Sequence, residues 1–210
     1  MRGRGRFLSF VTFEGIDGSG KTTQARRLAA WFEEQGRDVV LTREPGGSAG
    51  AEQIRQLVLE GPVDRWSPES ELLLFTAARR DHIERLISPA LEAGKVVICD
   101  RFVDSTRVYQ GLRRDDLRAC VDALHDLMIV TEPDVTLLID TDPDAGLSRA
   151  LARGGTEARF ESFGLDLQRK MRQGFLRLAE EYSQRIVVID GNREIDDVAR
   201  DVRAAVERHL

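Results

Sequence analysis

The chain has 210 residues, 41% hydrophobic and 32% charged, with a formal net charge of −5. That length suits one domain over 1–210 with a full apolar core, and the composition excludes a disordered chain. The acidic balance argues against nucleic acid as a partner, no apolar run approaches the roughly 20 residues of a membrane span, and the basic start "MRGRGR" lacks the apolar stretch of a signal peptide.

In chain order, "RFLSFVTFE" reads as a buried strand, and "TTQARRLAAWFEEQG" as a helix over 21–35 with Leu28, Trp31, Phe32 and Gln35 at helical spacing. Between them, Gly15, Gly20, Lys21 and Thr22 fit the spacing G-x-x-x-x-G-K-[ST]. Such a loop turns successive backbone N–H groups onto phosphate oxygens at a helix N-terminus, where the partial positive charge helps. Gly15, Ile16, Asp17, Gly18, Ser19, Gly20, Lys21, Thr22 and Thr23 are therefore expected to hold the triphosphate of ATP. Lys21 would bridge the outer phosphates and the Thr22 hydroxyl would hold Mg²⁺.

Four more short β-branched runs follow: "DVVLT" (38–42), "KVVICD" (95–100), "VTLLID" (135–140) and "RIVVID" (185–190). Each reads as apolar on both faces, as parallel strands buried under helices are. Helical patterns fall at about 50–60, 68–93, 114–130, 164–184 and 194–209. Ser67 with Pro68 suits a helix start, Gly94 a helix end, and Pro89 should kink or split the 68–93 run. Cys99 and Cys120 form no C-x-x-C pair and read as buried bystanders in a reducing cytosol. Strand and helix alternate throughout, so the expected fold is α/β, a five-stranded parallel sheet with helices on both faces. In such sheets ligands collect beyond the carboxyl ends of the strands.

Those strand ends are basic. After the phosphate loop come "REPGG", "DRFVDSTRVYQG" and "DTDPDAGLSRALARGGTEARFE", then "DGN". Several arginine-bearing loops at one sheet edge of an acidic protein point to a bound polyanion. ATP and a nucleoside monophosphate together bring about six negative charges to such an edge.

The segments "FEGIDGSGKTTQ", "TREPGG", "LLLFTAARRDHI", "CDRFVDSTRVYQG" and "EPDVTLLIDTDP" together resemble the thymidylate kinase family over nearly the whole chain. The resemblance implies the P-loop kinase fold and phosphorylation of dTMP to dTDP by Mg·ATP in dTTP biosynthesis. It implies that Asp100 holds Mg²⁺ through water and that Arg101 bridges the donor and acceptor phosphates. Arg43 and Arg55 would clamp the monophosphate, although a helical arginine such as Arg55 is more often simply solvated. Asp17 would accept from the 3′-hydroxyl. Phe75 would stack on thymine unless it is ordinary core, and Arg79 would donate to a base carbonyl. Ser105 belongs to the same substrate-binding set, with Thr106 and Gln110 at the base edge and Tyr109 against the 2′-position. Arg149 would lie against adenine. A cytoplasmic homodimer is implied, formed through apolar helix faces such as 68–93 and 114–130.

Position 18 is Gly where some members of the family carry arginine. The missing cation is expected instead from a lid at about 152–162, with Arg153 and Arg159 as candidates and Phe163 standing where relatives often carry an acid. An arginine introduced at position 18 would then partly replace Arg153. Two rival readings stay open at this point. One is another small P-loop nucleotide or nucleoside kinase; the other is a nucleotide-binding module without turnover.

Overall fold

The computed structural model describes residues 9–62, 64–114, 116–153 and 164–209. Five parallel strands form one sheet in the order β2-β3-β1-β4-β5: β1 (Phe10–Glu14), β2 (Val39–Arg43), β3 (Val96–Asp100), β4 (Val135–Asp140) and β5 (Ile186–Asp190). The register pairs Phe13 with Asp100 and Arg43 with Asp100, so the ends of β1, β2 and β3 open at one edge.

On one face α1 (Lys21–Glu34) and the C-terminal helix Ile195–Glu207 cover Val11, Phe13, Val96, Ile98, Leu137 and Ile139. The opposite face packs Phe10, Val97 and Cys99 against Phe102, Val103, Leu117 and Val121, and Leu138 against Met171, Phe175 and Leu178. The period of 2 in "FVTFE" thus sends Val11 and Phe13 to one layer and Phe10, Thr12 and Glu14 to the other. The strand is not apolar on both faces: Thr12 and Glu14 are buried, and Thr12 shares a 2.7 Å hydrogen bond with Thr136 of β4. The outer strands also depart from the expected pattern. Leu41 on β2 is 42% exposed and Val188 on β5 is 46% exposed, because edge strands are covered incompletely.

After β2 come α2 (Ala49–Leu59) and α3 (Pro68–His82), the latter capped by Ser67 Oγ, which accepts from Ser70 N at 3.1 Å. Helix α3 runs through a π-helical turn, Ile83–Ile87, into the short α4 (Ser88–Glu92). The break expected at Pro89 falls in the turn before it, where the proline ring would crowd the preceding carbonyls and the wider turn makes room. Gly94, at φ 75°, ends the run.

Two helices carried no clear periodic signal: α5 (Val103–Arg113) and α7 (Pro143–Arg153). Both are polar along much of their length. Between them α6 (Leu117–Leu124) continues through a second π turn, His125–Ile129, and α8 (Gly164–Glu181) and α9 (Ile195–Glu207) complete the chain. Cys99 is buried as expected, whereas Cys120 is exposed on α6, on the side turned from the core. Of the expected lid, only Ala152 and the backbone of Arg153 fall within α7; the Arg153 side chain, Arg159 and Phe163 lie outside the described residues.

Candidate active site

The loop between β1 and α1 is built of backbone that side chains would block. Gly15 has φ 141°, and a methyl there would lie 2.6 Å from the Ile139 carbonyl oxygen of β4. Ile16 and Ser19 are buried, Gly20 precedes the helix, and Thr23 is exposed on its first turn. Lys21 is the first residue of α1 and is buried, with Nζ donating to Ile16 O at 2.8 Å across the loop. Burial and the neighbouring Arg101 bring the Lys21 ammonium down to about 8, against the opposing pull of Asp100, Asp17 and Glu14. The Thr22 hydroxyl donates to the Asp100 carboxylate at the end of β3. A hydroxyl and a carboxylate oxygen thus converge at an open rim, a donor pair that suits a hard divalent cation such as Mg²⁺.

Beside this loop a cleft is lined by Asp17, Arg55, Phe75, Arg79 and Arg101, with Ser105, Thr106, Tyr109 and Gln110 along one face of α5. Arg101 sits at its centre in a left-handed conformation, φ 71°. Its guanidinium donates to Gly15 O at 3.2 Å, to Ser105 Oγ at 2.9 Å and to Asp17, and lies 5.4 Å from the centre of the Tyr109 ring. Burial disfavours that charge, but Tyr109, Asp17, Glu14 and Asp100 together push the Arg101 value above its ordinary range. Asp17 answers in kind. Burial pushes its carboxyl up, while Arg101 and Lys21 more than offset this and hold it below the ordinary carboxylate value. Tyr109 donates to Asp17 Oδ2 at 3.3 Å, and burial raises its phenol well above the usual value.

The far end of the cleft is held by acids that the motif reading passed over. Arg79 is buried, donating through Nε to Glu44 Oε2 at 2.7 Å and through Nη2 to Thr106 Oγ1 at 2.9 Å, and it lies 5.2 Å from the Phe102 ring centre. Gln110 is fully buried; its Nε2 donates to Glu71 Oε1 at 2.9 Å, while its Oε1 has no hydrogen-bond partner among the described residues. Phe75 is half-buried and faces the cleft on the same side of α3 as Arg79. Glu44 lies inside "TREPGG" without a role assigned to it there, and Glu71 stands just outside "LLLFTAARRDHI". Each is recognisable only by the cation or amide opposite it.

Two predicted residues, Arg43 and Arg149, stand outside the cleft. Arg43, 55% exposed, donates to both carboxylate oxygens of Glu52, at 3.0 and 3.2 Å, whereas Arg55 lines the cleft and donates to Pro45 O at 2.6 Å. Arg149 is exposed on α7, its Nε turned back to Ala145 O at 3.2 Å. Arg153 closes the same helix.

This arrangement puts a phosphate-binding loop, a candidate cation rim and an arginine-lined cleft with an aromatic wall around one space. Comparison with known proteins places it. A family model described as Thymidylate kinase matches residues 13–202. A thymidylate kinase from Ruegeria pomeroyi is 67% identical over 210 residues, covering 100% of this chain and 98% of that protein. One from Dinoroseobacter shibae is 64% identical over 194 residues, covering 92% of this chain and 94% of that one. The solved thymidylate kinase from Ehrlichia chaffeensis superposes with a TM-score of 0.76 at 37% identity, covering 95% of this chain and 98% of that one. Matched by the family model over 13–202 and by full-length relatives at this identity, the chain belongs to the thymidylate kinase family.

Proposed function

We propose that the chain transfers the γ-phosphoryl group of ATP to a phosphate oxygen of dTMP, giving ADP and dTDP. The observation that carries this is the cleft in which Arg101 touches both the phosphate loop, at Gly15 and Asp17, and α5, at Ser105. A cation so placed serves donor and acceptor phosphates together. The acceptor oxygen is already anionic at neutral pH, so positioning and charge stabilisation supply the catalysis and no strong base is needed.

Lys21 and the loop N–H groups hold the β- and γ-phosphates, and Arg101 spans the two nucleotides. Arg55 and, once it exchanges Glu52 for phosphate, Arg43 bind the monophosphate. Asp17 takes the 3′-hydroxyl, Tyr109 bars a 2′-hydroxyl, and Phe75 stacks on the base, whose edge meets Arg79, Thr106 and Gln110. Arg149 and the lid arginine Arg153 belong to the ATP side. Thr22, and Asp100 through water, would hold Mg²⁺, which would supply charge neutralisation of the phosphates.

The working unit in this reading is a homodimer in the cytoplasm. Leu73 on α3 is 57% exposed, and Leu127, Met128 and Val130 at the end of the α6 run are 75%, 44% and 70% exposed. Apolar exposure of this kind on neighbouring elements suits a second copy. Among the described residues, no helix is long and apolar enough to cross a membrane.

The test is ADP formation from ATP with dTMP, thymidine or no acceptor, and with Lys21→Ala beside the native protein. Turnover that requires dTMP and falls on the order of a hundredfold in folded Lys21→Ala is expected. Equal turnover with thymidine would move the reading to a nucleoside kinase.

A further inference from the structure

Glu14 ends β1 and is 1% exposed, yet it lies in none of the roles above. Its carboxylate oxygens accept three hydrogen bonds: from Phe102 N at 2.8 Å, Ser105 N at 3.0 Å and Ser105 Oγ at 2.6 Å. Phe102 immediately precedes α5 and Ser105 lies in its first turn, where N–H groups lack i−4 carbonyls; Ser105 N is shared with Phe102 O at 3.2 Å. The Ser105 hydroxyl, having donated to Glu14, turns its lone pairs to Arg101 Nη1 at 2.9 Å.

The backbone around Arg101 needs this support. A non-glycine residue at φ 71° is strained, and such a conformation persists only where its surroundings over-determine it. Arg101 N is held by Phe13 O at 2.9 Å, and the next N–H along the chain, that of Phe102, is held by Glu14. One residue of β1 therefore fixes the turn that carries Arg101 and, through Ser105, the direction of its guanidinium. The same residue is covalently joined to Gly15, whose carbonyl Arg101 also engages.

We infer that Glu14 is a positioning residue for phosphoryl transfer, joining the phosphate loop to the Arg101 turn through Ser105. A carboxylate in this role accepts at both oxygens. A proton on Oε1 would face the Phe102 and Ser105 N–H donors, and one on Oε2 would reverse the bond, making the Ser105 hydroxyl the acceptor and changing its orientation toward Arg101. The groups facing it are Asp104 and Arg101 from the α5 side, with Lys21, Tyr109 and Cys99 also within electrostatic reach. Burial and then Asp104 push the Glu14 value up to about 7, although Arg101 and the bonds from Ser105 and Phe102 oppose this. Activity and stability should therefore respond to pH in opposite senses. Glu14 gains a proton in the folded state between about pH 7 and 4.5, so folding is favoured as the pH falls through that window, while Arg101 loses its alignment.

The experiment rests on the dTMP kinase reading only for its assay, and active native protein separates the two. Steady-state constants are measured for Glu14→Gln, Ser105→Ala and the double variant, at several pH values. Each single change is expected to lower kcat by about tenfold to a hundredfold with KM for ATP within about threefold, as a misplaced catalytic cation would. The double variant should lose no more than the worse single one, because both cut the same connection. The ratio of native to Glu14→Gln kcat should shrink several-fold from pH 8 to pH 6. Unchanged kcat in folded Ser105→Ala, multiplicative losses in the double variant, or a pH-independent ratio would each overturn the inference, even where Glu14→Gln fails to fold.

Discussion

Gly18 of the phosphate loop and Gly146 of α7 touch backbone to backbone. A methyl at position 18, where φ is 73°, would lie 1.9 Å from Gly146 O; one at position 146 would lie 2.9 Å from Asp17 O. The loop therefore leans on the helix that leads toward the lid. The sequence-based expectation that an arginine at position 18 would restore a missing cation does not survive this contact, since its Cβ has no room unless α7 withdraws. Gly18→Arg, and Gly18→Ala with no charge at all, should both lower the melting temperature by several degrees and reduce kcat. A thermal melt and a kinase assay decide it: native-like values for Gly18→Arg would show that the contact yields freely.

What the sequence made legible here follows from local pattern. The five strands announced themselves by β-branched runs, and the phosphate loop by glycine spacing. Helix α5 did not, because its residues Ser105, Thr106, Tyr109 and Gln110 turn polar groups to the cleft and break the apolar stripe that marks a packed helix. Glu14, Glu44 and Glu71 stayed hidden for a related reason. A buried acid is explained by its partner, and Ser105, Arg79 and Gln110 lie 91, 35 and 39 residues away. The sequence put Arg43 ahead of Arg55, a helical arginine more often solvated, and the structure reverses that order: Arg55 lines the cleft and Arg43 pairs with Glu52 outside it.

That difference is measurable. Arg55 lines the cleft with its head tied to Pro45 O, while Arg43 must release Glu52 before it can reach a phosphate. Arg55→Ala should raise KM for dTMP at least tenfold, since a charge-assisted contact to phosphate is worth about 1.5–3 kcal/mol. Arg43→Ala should raise it less, because loss of the Glu52 pairing offsets part of the gain. Steady-state titration of dTMP against both variants tests the order, and a larger effect at Arg43 would reverse the assignment.

In the proposed reading, base choice rests on Gln110. With Nε2 committed to Glu71, the buried Oε1 is an acceptor awaiting a donor. Thymine and uracil present N3–H there; cytosine presents an unprotonated nitrogen, leaving two acceptors opposed. Arg79 adds a donor for a ring carbonyl that cytosine replaces with an amine. The expected order is dTMP over dUMP, with dCMP far behind. Loss of the methyl costs about 1 kcal/mol, whereas mismatched buried polar groups cost far more. Comparing kcat/KM for the three nucleotides is sufficient, and dCMP turnover equal to that of dTMP would remove Gln110 and Arg79 from base reading.

Asp104 carries the cleft wall from behind. It is 1% exposed on α5 and accepts from Arg107 Nη1 at 2.9 Å and from Arg185 at 2.7 and 3.0 Å. Burial pushes its carboxyl up, but Arg185 and Arg107 outweigh that and hold it below its ordinary value of 3.8. A depressed carboxylate contributes stability that is present above its unfolded value and lost as pH falls through the folded one. Asp104→Asn leaves both arginines short of charge; Arg107 keeps Asp122 at 2.7 Å, so the loss should be roughly 2–4 kcal/mol at neutral pH rather than more. Denaturant melts of the two proteins should differ by that amount from pH 8 to about pH 5, begin to converge as the pH falls below about 3.8, and meet only below the folded value. Removing the Asp104 charge also withdraws one of the forces that raise Glu14, so in Asp104→Asn the pH at which activity fails should move to a lower value. A gap in stability that persists unchanged at pH 3 would mean that packing, not charge, makes Asp104 necessary.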